Sequence, residues 1–281
     1  MSRSTDYIFS NTQNLKELER LQAIEQIFDP KTRERILTTG ITEKWQCLEV
    51  GAGAGAGAIA KWLATVIGDS GKVVAVDLDT RFLAKIQSSN IEVLEADFCR
   101  LALESQSFDL IHARCLLIHI RDFQLALSKM VDLLKPGGWL VIEEPDFSAA
   151  KAIAGDSQMC QSVDQVNLAI EKMFADRGTD YALGAKLPEI LQKYDWQKLS
   201  VENDAPVSPG RSEIAKMMKM SAMQLTEKYI ATGKASYSDV DNYCLFAEDP
   251  NTQAIYHATV GVITHLQKRG NREQGTGNRE E

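Results

Sequence analysis

The chemistry of this chain concentrates in one stretch, CLEVGAGAGAGAIA, residues 47–60. Glycines at 51, 53, 55 and 57 alternate with alanines and follow an apolar run that ends at Val50. Glycine lets a backbone turn tightly and approach a ligand closely. The helical pattern that follows offers unpaired N–H groups at its start. A nicotinamide or flavin loop would suit this spacing, with Gly51, Gly53 and Ala56 at its glycine positions and Asp77 as its ribose acid. Glu49 separates the readings, because a carboxylate beside the loop repels a pyrophosphate and suits a ligand with positive charge near its centre.

Such a loop needs a strand before it and a helix after it, and the sequence supplies both. WQCLEV reads as a strand and GAIAKWLATVI as a helix ending at Gly68. The alternation continues with strand KVVAVD, helix TRFLAKIQSS, strands IEVLEAD and FDLIHA, helix DFQLALSKMVDLL, a Lys135-Pro136-Gly137-Gly138 turn and strand GWLVIEE. Strands apolar on both faces and separated by helices predict a parallel sheet covered on both sides, a Rossmann-like doubly wound α/β layer. An amphipathic helix over 11–28 precedes it and should stop at Asp29-Pro30. After Pro145 the rhythm breaks. Helices are expected around Met159–Phe174, at LPEILQKY, over the Met-rich SEIAKMMKMSAMQLTEKYI and at YSDVDNYCLFAED, with strands near WQKLSVEN and at AIYHATVGVITHLQK, the last antiparallel.

The domain reading is a helical cap over 1–44, a main domain over 45–267 with lid insertions near 155–176 and 210–248, and a disordered tail over 268–281, where GNRE occurs twice with no apolar residue. Of the 281 residues, 44% are hydrophobic and the net charge is -8, which argues against a nucleic-acid partner or an anionic membrane surface. The five cysteines form no CxxC pair and read as reduced core thiols. No signal peptide and no membrane-spanning run are read, so a cytoplasmic location is expected.

S-adenosylmethionine, a sulfonium and an ammonium without phosphate, is a ligand of the charge that Glu49 suits. LEVGAGAG resembles the first motif of class I S-adenosylmethionine-dependent methyltransferases, and VVAVDLD, LEADF, FDLIHAR and LLKPGGWLVIEE resemble the later ones in order over 45–147. YIFSNTQNLKELERLQ is more loosely similar to the lead-in of ubiquinone/menaquinone-type and natural-product small-molecule methyltransferases. The resemblance implies a methyltransferase that uses S-adenosylmethionine, yields S-adenosylhomocysteine and acts on a small organic acceptor at O, N or C. The alternatives are an NAD(P)-dependent oxidoreductase and a non-catalytic S-adenosylmethionine-binding protein. A homodimer is within the expectation; nucleic acid, metal and membrane insertion are not.

By position, the resemblance implies that Gly51, Gly53 and Gly55 pass under the methionine part, with Glu49 near it. Asp77 would accept the ribose hydroxyls and Leu78 would pack on the adenine. Asp97 would accept from the adenine amino group or cap a turn, and Phe98 would lie on the ring. Arg114 either holds the methionine carboxylate or is structural, with Tyr7 and Arg20 as other candidates. His119, just beyond the fourth strand, is the candidate general base, or else a packed or solvent-facing loop histidine. Glu144 and Asp146 either steer a cationic acceptor or face water, and His112, His257 and His265 read as structural. The fourth-strand end, HARCLL, lacks the Asn/Asp-Pro-Pro-aromatic signature of nucleobase amino methyltransferases.

Overall fold

A computed structural model describes residues 8–9, 14–53, 57–83 and 86–267. The elements in chain order are helix α1 (Asn14–Leu37), β1 (Gln46–Val50), α2 (Ala58–Ile67), β2 (Lys72–Asp77), β3 (Ile91–Glu95), β4 (Phe108–Arg114), α3 (Phe123–Leu133), β5 (Leu134–Asp146), β6 (Lys151–Ala154), α4 (Ser157–Asp176), α5 (Leu183–Leu191), β7 (Trp196–Asp204), β8 (Ser208–Pro209), α6 (Glu213–Ala231), α7 (Tyr237–Glu248), β9 (Gln253–Ile255) and β10 (Ala258–Leu266). Seven strands form one sheet in the order β3-β2-β1-β4-β5-β10-β7. The first five strands pair in parallel, and β10 runs antiparallel between β5 and β7. The central strands bury nearly every side chain, as the unbroken apolar runs require: Cys47, Leu48, Val73, Ala75, Leu110, Ile111 and Val141 have no exposed surface.

Three expectations need correction. Helix α1 does not stop at Asp29-Pro30 but carries Pro30 in its interior and runs to Leu37. An interior proline removes a helical hydrogen bond, at a cost of about 3 kcal/mol. Anchors on both sides of it offset that cost: Asp29, Thr32 and Arg35 are all buried and bonded to the sheet. The segment TRFLAKIQSS forms turns over its described residues, with Leu83 N–H donating to Thr80 O, rather than the expected helix. The last strand is split, because β9 leaves the main sheet for a second one, β6-β9-β8.

That small sheet was not anticipated. It ties together the roots of both insertions, since β6 leads into α4, β8 leads into α6 and β9 receives the chain from α7. Helices α4, α6 and α7 pack on one another, and α6 also packs on α1. On the Met-rich helix, Met217 and Met218 are buried with Ile214, Leu225 and Tyr229 in one cluster with Val50, Val76 and Ile142 of the sheet, while Met223 is exposed. The inner face of α6 is therefore continuous with the core. The tail reading for 268–281 lies outside the described residues.

Candidate functional site

The site is built where β1, β2, β4 and β5 end. Gly51 turns the chain out of β1 at φ 79°, and a Cβ there would lie 3.1 Å from Leu116 Cδ1. Gly53 N–H donates to Asp77 Oδ2 at 2.8 Å, and Asp79 N–H donates to Asp77 Oδ1 at 2.9 Å. A Cβ on Gly53 would sit 2.8 Å from Asp77 Cγ, so glycine is required for that approach. Burial raises the Asp77 carboxyl, against the backbone N–H groups of Asp79, Gly53 and Leu78 that lower it. Gly57 caps α2 at φ 73° without a side-chain bond. A carboxylate from α1 fills that role instead, as Glu25 Oε1 accepts from Ala58 N–H at 3.0 Å.

Glu49, Glu25 and Arg114 face one cleft beside Gly51 and Gly57. Arg114 is held by Asp29 Oδ1 at 2.8 Å and Thr32 Oγ1 at 2.7 Å, so its guanidinium closes the cleft by a bridge to α1. Glu49 Oε2 meets His112 Nδ1 at 2.7 Å, and His112 Nε2 lies 3.6 Å from Glu143 Oε2. Glu143 in turn binds Arg35 Nη1 at 2.6 Å and Thr32 Oγ1 at 2.5 Å. Burial alone would lower His112, but Glu49 and Glu143 raise it to about 9. Burial alone would raise Glu143, but His112, Arg114 and Thr32 hold it at about 2. His112 is thus a member of a buried charged row inside the strand.

The remaining expected residues divide. Leu78 is half exposed beyond β2, an open apolar surface next to Asp77. Asp97 Oδ1 accepts from Cys99 N–H at 2.9 Å and its side chain pairs with Arg100, so here it caps a turn. Phe98 is buried. Arg20 is buried, bonds Glu17 at 2.8 and 2.9 Å and lies over the Phe9 ring at 3.6 Å. Tyr7 and Gly55 lie outside the described residues. Glu144 and Asp146 are both buried, so neither faces water. Glu144 accepts from the N–H groups of Leu116, Leu117 and Ile118, fixing the loop after β4, and burial raises it to about 7. Asp146 caps the turn at Ser148.

His119 ends the short 3₁₀ turn Leu117–His119. Burial, with Arg20 and Arg177 nearby, lowers it to about 3. It is half-buried, so both readings, packed loop histidine and base, stay open. Its ring stacks on Phe174 at 6.3 Å, Phe174 on Phe147 at 5.8 Å, Phe147 meets His257 at 5.3 Å, and His257 meets Phe28 at 5.8 Å. This row runs along the carboxyl edge from β4 to β10 and under α4 and α1. Sequence reading missed the row, and it missed Glu25, Asp29, Thr32, Arg35 and Glu143. Charged residues inside otherwise apolar elements, Glu143 and His112 above all, were the available signal.

The donor set fits S-adenosylmethionine better than a dinucleotide. Two carboxylates, Glu25 and Glu49, flank the glycine turn, and a third, Asp77, ends β2. That arrangement suits an ammonium and a ribose diol and repels a pyrophosphate.

Residues 48–142 match the methyltransferase domain family. The chain is 29% identical over 182 residues to methyltransferase str2 of Strobilurus tenacellus, covering 61% of this chain and 63% of that protein. It is 24% identical over 214 residues to a demethylmenaquinone methyltransferase of Staphylococcus aureus, covering 73% and 79%. Its fold is similar to that of phosphoethanolamine N-methyltransferase 2 of Haemonchus contortus, solved with phosphomonomethylethanolamine and S-adenosylhomocysteine, with a TM-score of 0.58 at 18% identity over 92% of this chain and 59% of that one. The chain thus spans less than two thirds of the length of the first relative and of that solved structure. No helix among the described residues is long and apolar enough to cross a membrane.

Proposed function

We propose, from the premise that this chain is a class I S-adenosylmethionine-dependent methyltransferase by domain and by fold, that it methylates a small organic acceptor. The observation that carries the reading is the glycine turn held between Glu49 and Asp77, with Gly53 N–H bonded to Asp77. When bound, the sulfonium supplies a methyl group to the acceptor atom and keeps the electron pair of the broken C–S bond, leaving S-adenosylhomocysteine. Asp77 turns its carboxylate to the ribose diol, Leu78 gives the adenine an apolar surface, and Asp97 and Phe98 border it. Glu49 and Arg114 answer the ammonium and carboxylate ends of the methionine part, and Arg20 stands behind them.

A row of rings from His119 to Phe28 supports an apolar acceptor of the quinone-like or natural-product kind, held away from water. Positioning of donor and acceptor supplies much of the acceleration. Where the acceptor must lose a proton, His119 is the base in this reading. Its imidazole stays neutral and so is free to accept a proton, but holds a transferred proton weakly. A second copy of the chain as partner and a cytoplasmic location belong to the same reading.

Asp77→Ala tests it. Two charge-assisted hydrogen bonds to the ribose, about 1.5–3 kcal/mol each, are lost, so S-adenosylhomocysteine should bind at least tenfold more weakly by calorimetry. Unchanged affinity, or tight binding of NAD by the native protein, would refute it. Transfer of a labelled methyl group into an extract separates an enzyme from a protein that only binds the donor.

A further inference from the structure

We propose that His112 is a positioning residue for the methyl donor: as an imidazolium fixed between Glu49 and Glu143, it holds the Glu49 carboxylate in the orientation that meets the donor. The proposal rests on the donor reading above. His112 touches no part of the cleft itself. It has no exposed surface, lies directly opposite Glu49 in the β1–β4 register, and closes on it at 2.7 Å. Glu49 is the member of the pair that faces the cleft.

Charge balance requires the imidazolium. Facing His112 are Glu49 from β1 and Glu143 from β5, with Arg35, Asp29 and Glu25 from α1 and Arg114 from β4 beyond them. Arg35 divides its charge among Glu143, Glu202 and Asp204, and Arg114 is turned to Asp29. A neutral His112 would leave Glu49 buried with no cation bonded to it among the described contacts. A neutral His112 still donates its Nδ1–H there but brings no counter-charge, and a buried carboxylate without a counter-charge is disfavoured in its charged form, which weakens the negative charge offered to the donor's ammonium. Arg35 anchors the far end of the row, and Gly261 makes room for it, since a Cβ there would fall 2.4 Å from Arg35 Nε. The clamp therefore reaches from the cleft through the sheet to α1.

The groups nearby titrate elsewhere. Glu144 lies on the opposite face of β5 from Glu143, with a value of about 7. The Cys115 thiol is pushed up to about 12 by burial, and burial also raises Cys47. A transition at about 9 is thus the signature of His112.

Two measurements test this. In native protein with labelled histidine, NMR should show the His112 ring protonated until about pH 9, and saturating S-adenosylhomocysteine should move that ring transition at least one pH unit higher, the linked counterpart of a tenfold preference for the imidazolium form. In His112→Gln, whose amide cannot carry the charge, affinity at pH 7.5 should be at least tenfold weaker, under conditions where melting shows the variant folded. A ring that titrates near its ordinary 6.5, or a folded His112→Gln that binds as tightly as native protein, overturns the proposal. If His112→Gln does not fold, the ligand-induced shift of the native ring transition decides, and a ring transition that the ligand leaves unmoved overturns it. Native protein that does not bind S-adenosylhomocysteine at neutral pH sinks the donor reading itself, an outcome distinct from the others.

Discussion

Glu143→Gln is the sharpest stability test of the buried row. Glu143 has no exposed surface and receives Arg35 Nη1 at 2.6 Å and Thr32 Oγ1 at 2.5 Å, with His112 Nε2 3.6 Å away. The amide keeps the shape but removes the charge, so two buried cations lose a counter-ion at once. Breaking a buried pair by removing one partner costs about 3–5 kcal/mol, because the remaining charge is uncompensated. For a chain of this size about 4 kcal/mol corresponds to a melting temperature lower by roughly 10 °C. The pH dependence gives an independent signature. A carboxyl lowered from 4.5 to about 2 in the fold contributes stability that is fully present above 4.5 and is lost as pH falls through about 2. Its size, at 1.36 kcal/mol per tenfold, is about 3 kcal/mol. Chemical denaturation of native protein and of Glu143→Gln between pH 2 and 7 reads both effects. A variant within 1 kcal/mol of native at pH 7, or one that keeps the full acid loss, would show that the row is not electrostatically coupled.

The far end of the row answers to sterics: Gly261→Ala pushes a Cβ to within 2.4 Å of Arg35 Nε and should destabilise by about 1–3 kcal/mol in urea melts, with no change expected if Arg35 can swing aside. His119→Phe should be more stable relative to native below pH 6.5, because a histidine lowered to about 3 in the fold leaves the unfolded chain to take up the proton as pH falls from 6.5 toward 3; equal acid limbs by denaturation would contradict the burial. If His119 nevertheless serves as the base once acceptor is bound, His119→Gln should lower turnover by about two to four decades with donor affinity intact, and a loss of a few-fold leaves proximity as the main effect. Amide exchange reads the lid: α6 should exchange faster than β4 in free protein and slow with S-adenosylhomocysteine plus acceptor, whereas equal protection in free protein makes it core.

What could be read in advance follows the range of the forces involved. The βα alternation over 45–147 and the glycine turn are local patterns, set by side-chain period and backbone freedom, and they survive into the structure with Gly51, Gly53 and Asp77 brought together. The failures are places where a distant partner overrode a local rule. Asp29-Pro30 is a sound stop signal in an isolated helix, yet Asp29 binds Arg114, Thr32 binds Glu143 and Arg35 binds Glu143, so the helix continues through it. His112 looked structural because its neighbours in sequence are apolar; its chemical neighbours, Glu49 and Glu143, come from other strands 63 and 31 residues away in the chain. For His119 the sequence leaves base and loop histidine open, and the ring it stacks on, Phe174, comes from a helix that the residues around it do not announce. A buried ionisable residue in an apolar strand implies a partner that the strand itself does not contain. Here three such residues, Glu49, His112 and Glu143, fall on adjacent strands of one parallel sheet, and topology alone would have paired them. Helix α1, read as part of a cap, then supplies the arginine that completes the row, so the cap is tied by charge to the strands that lead into the glycine turn.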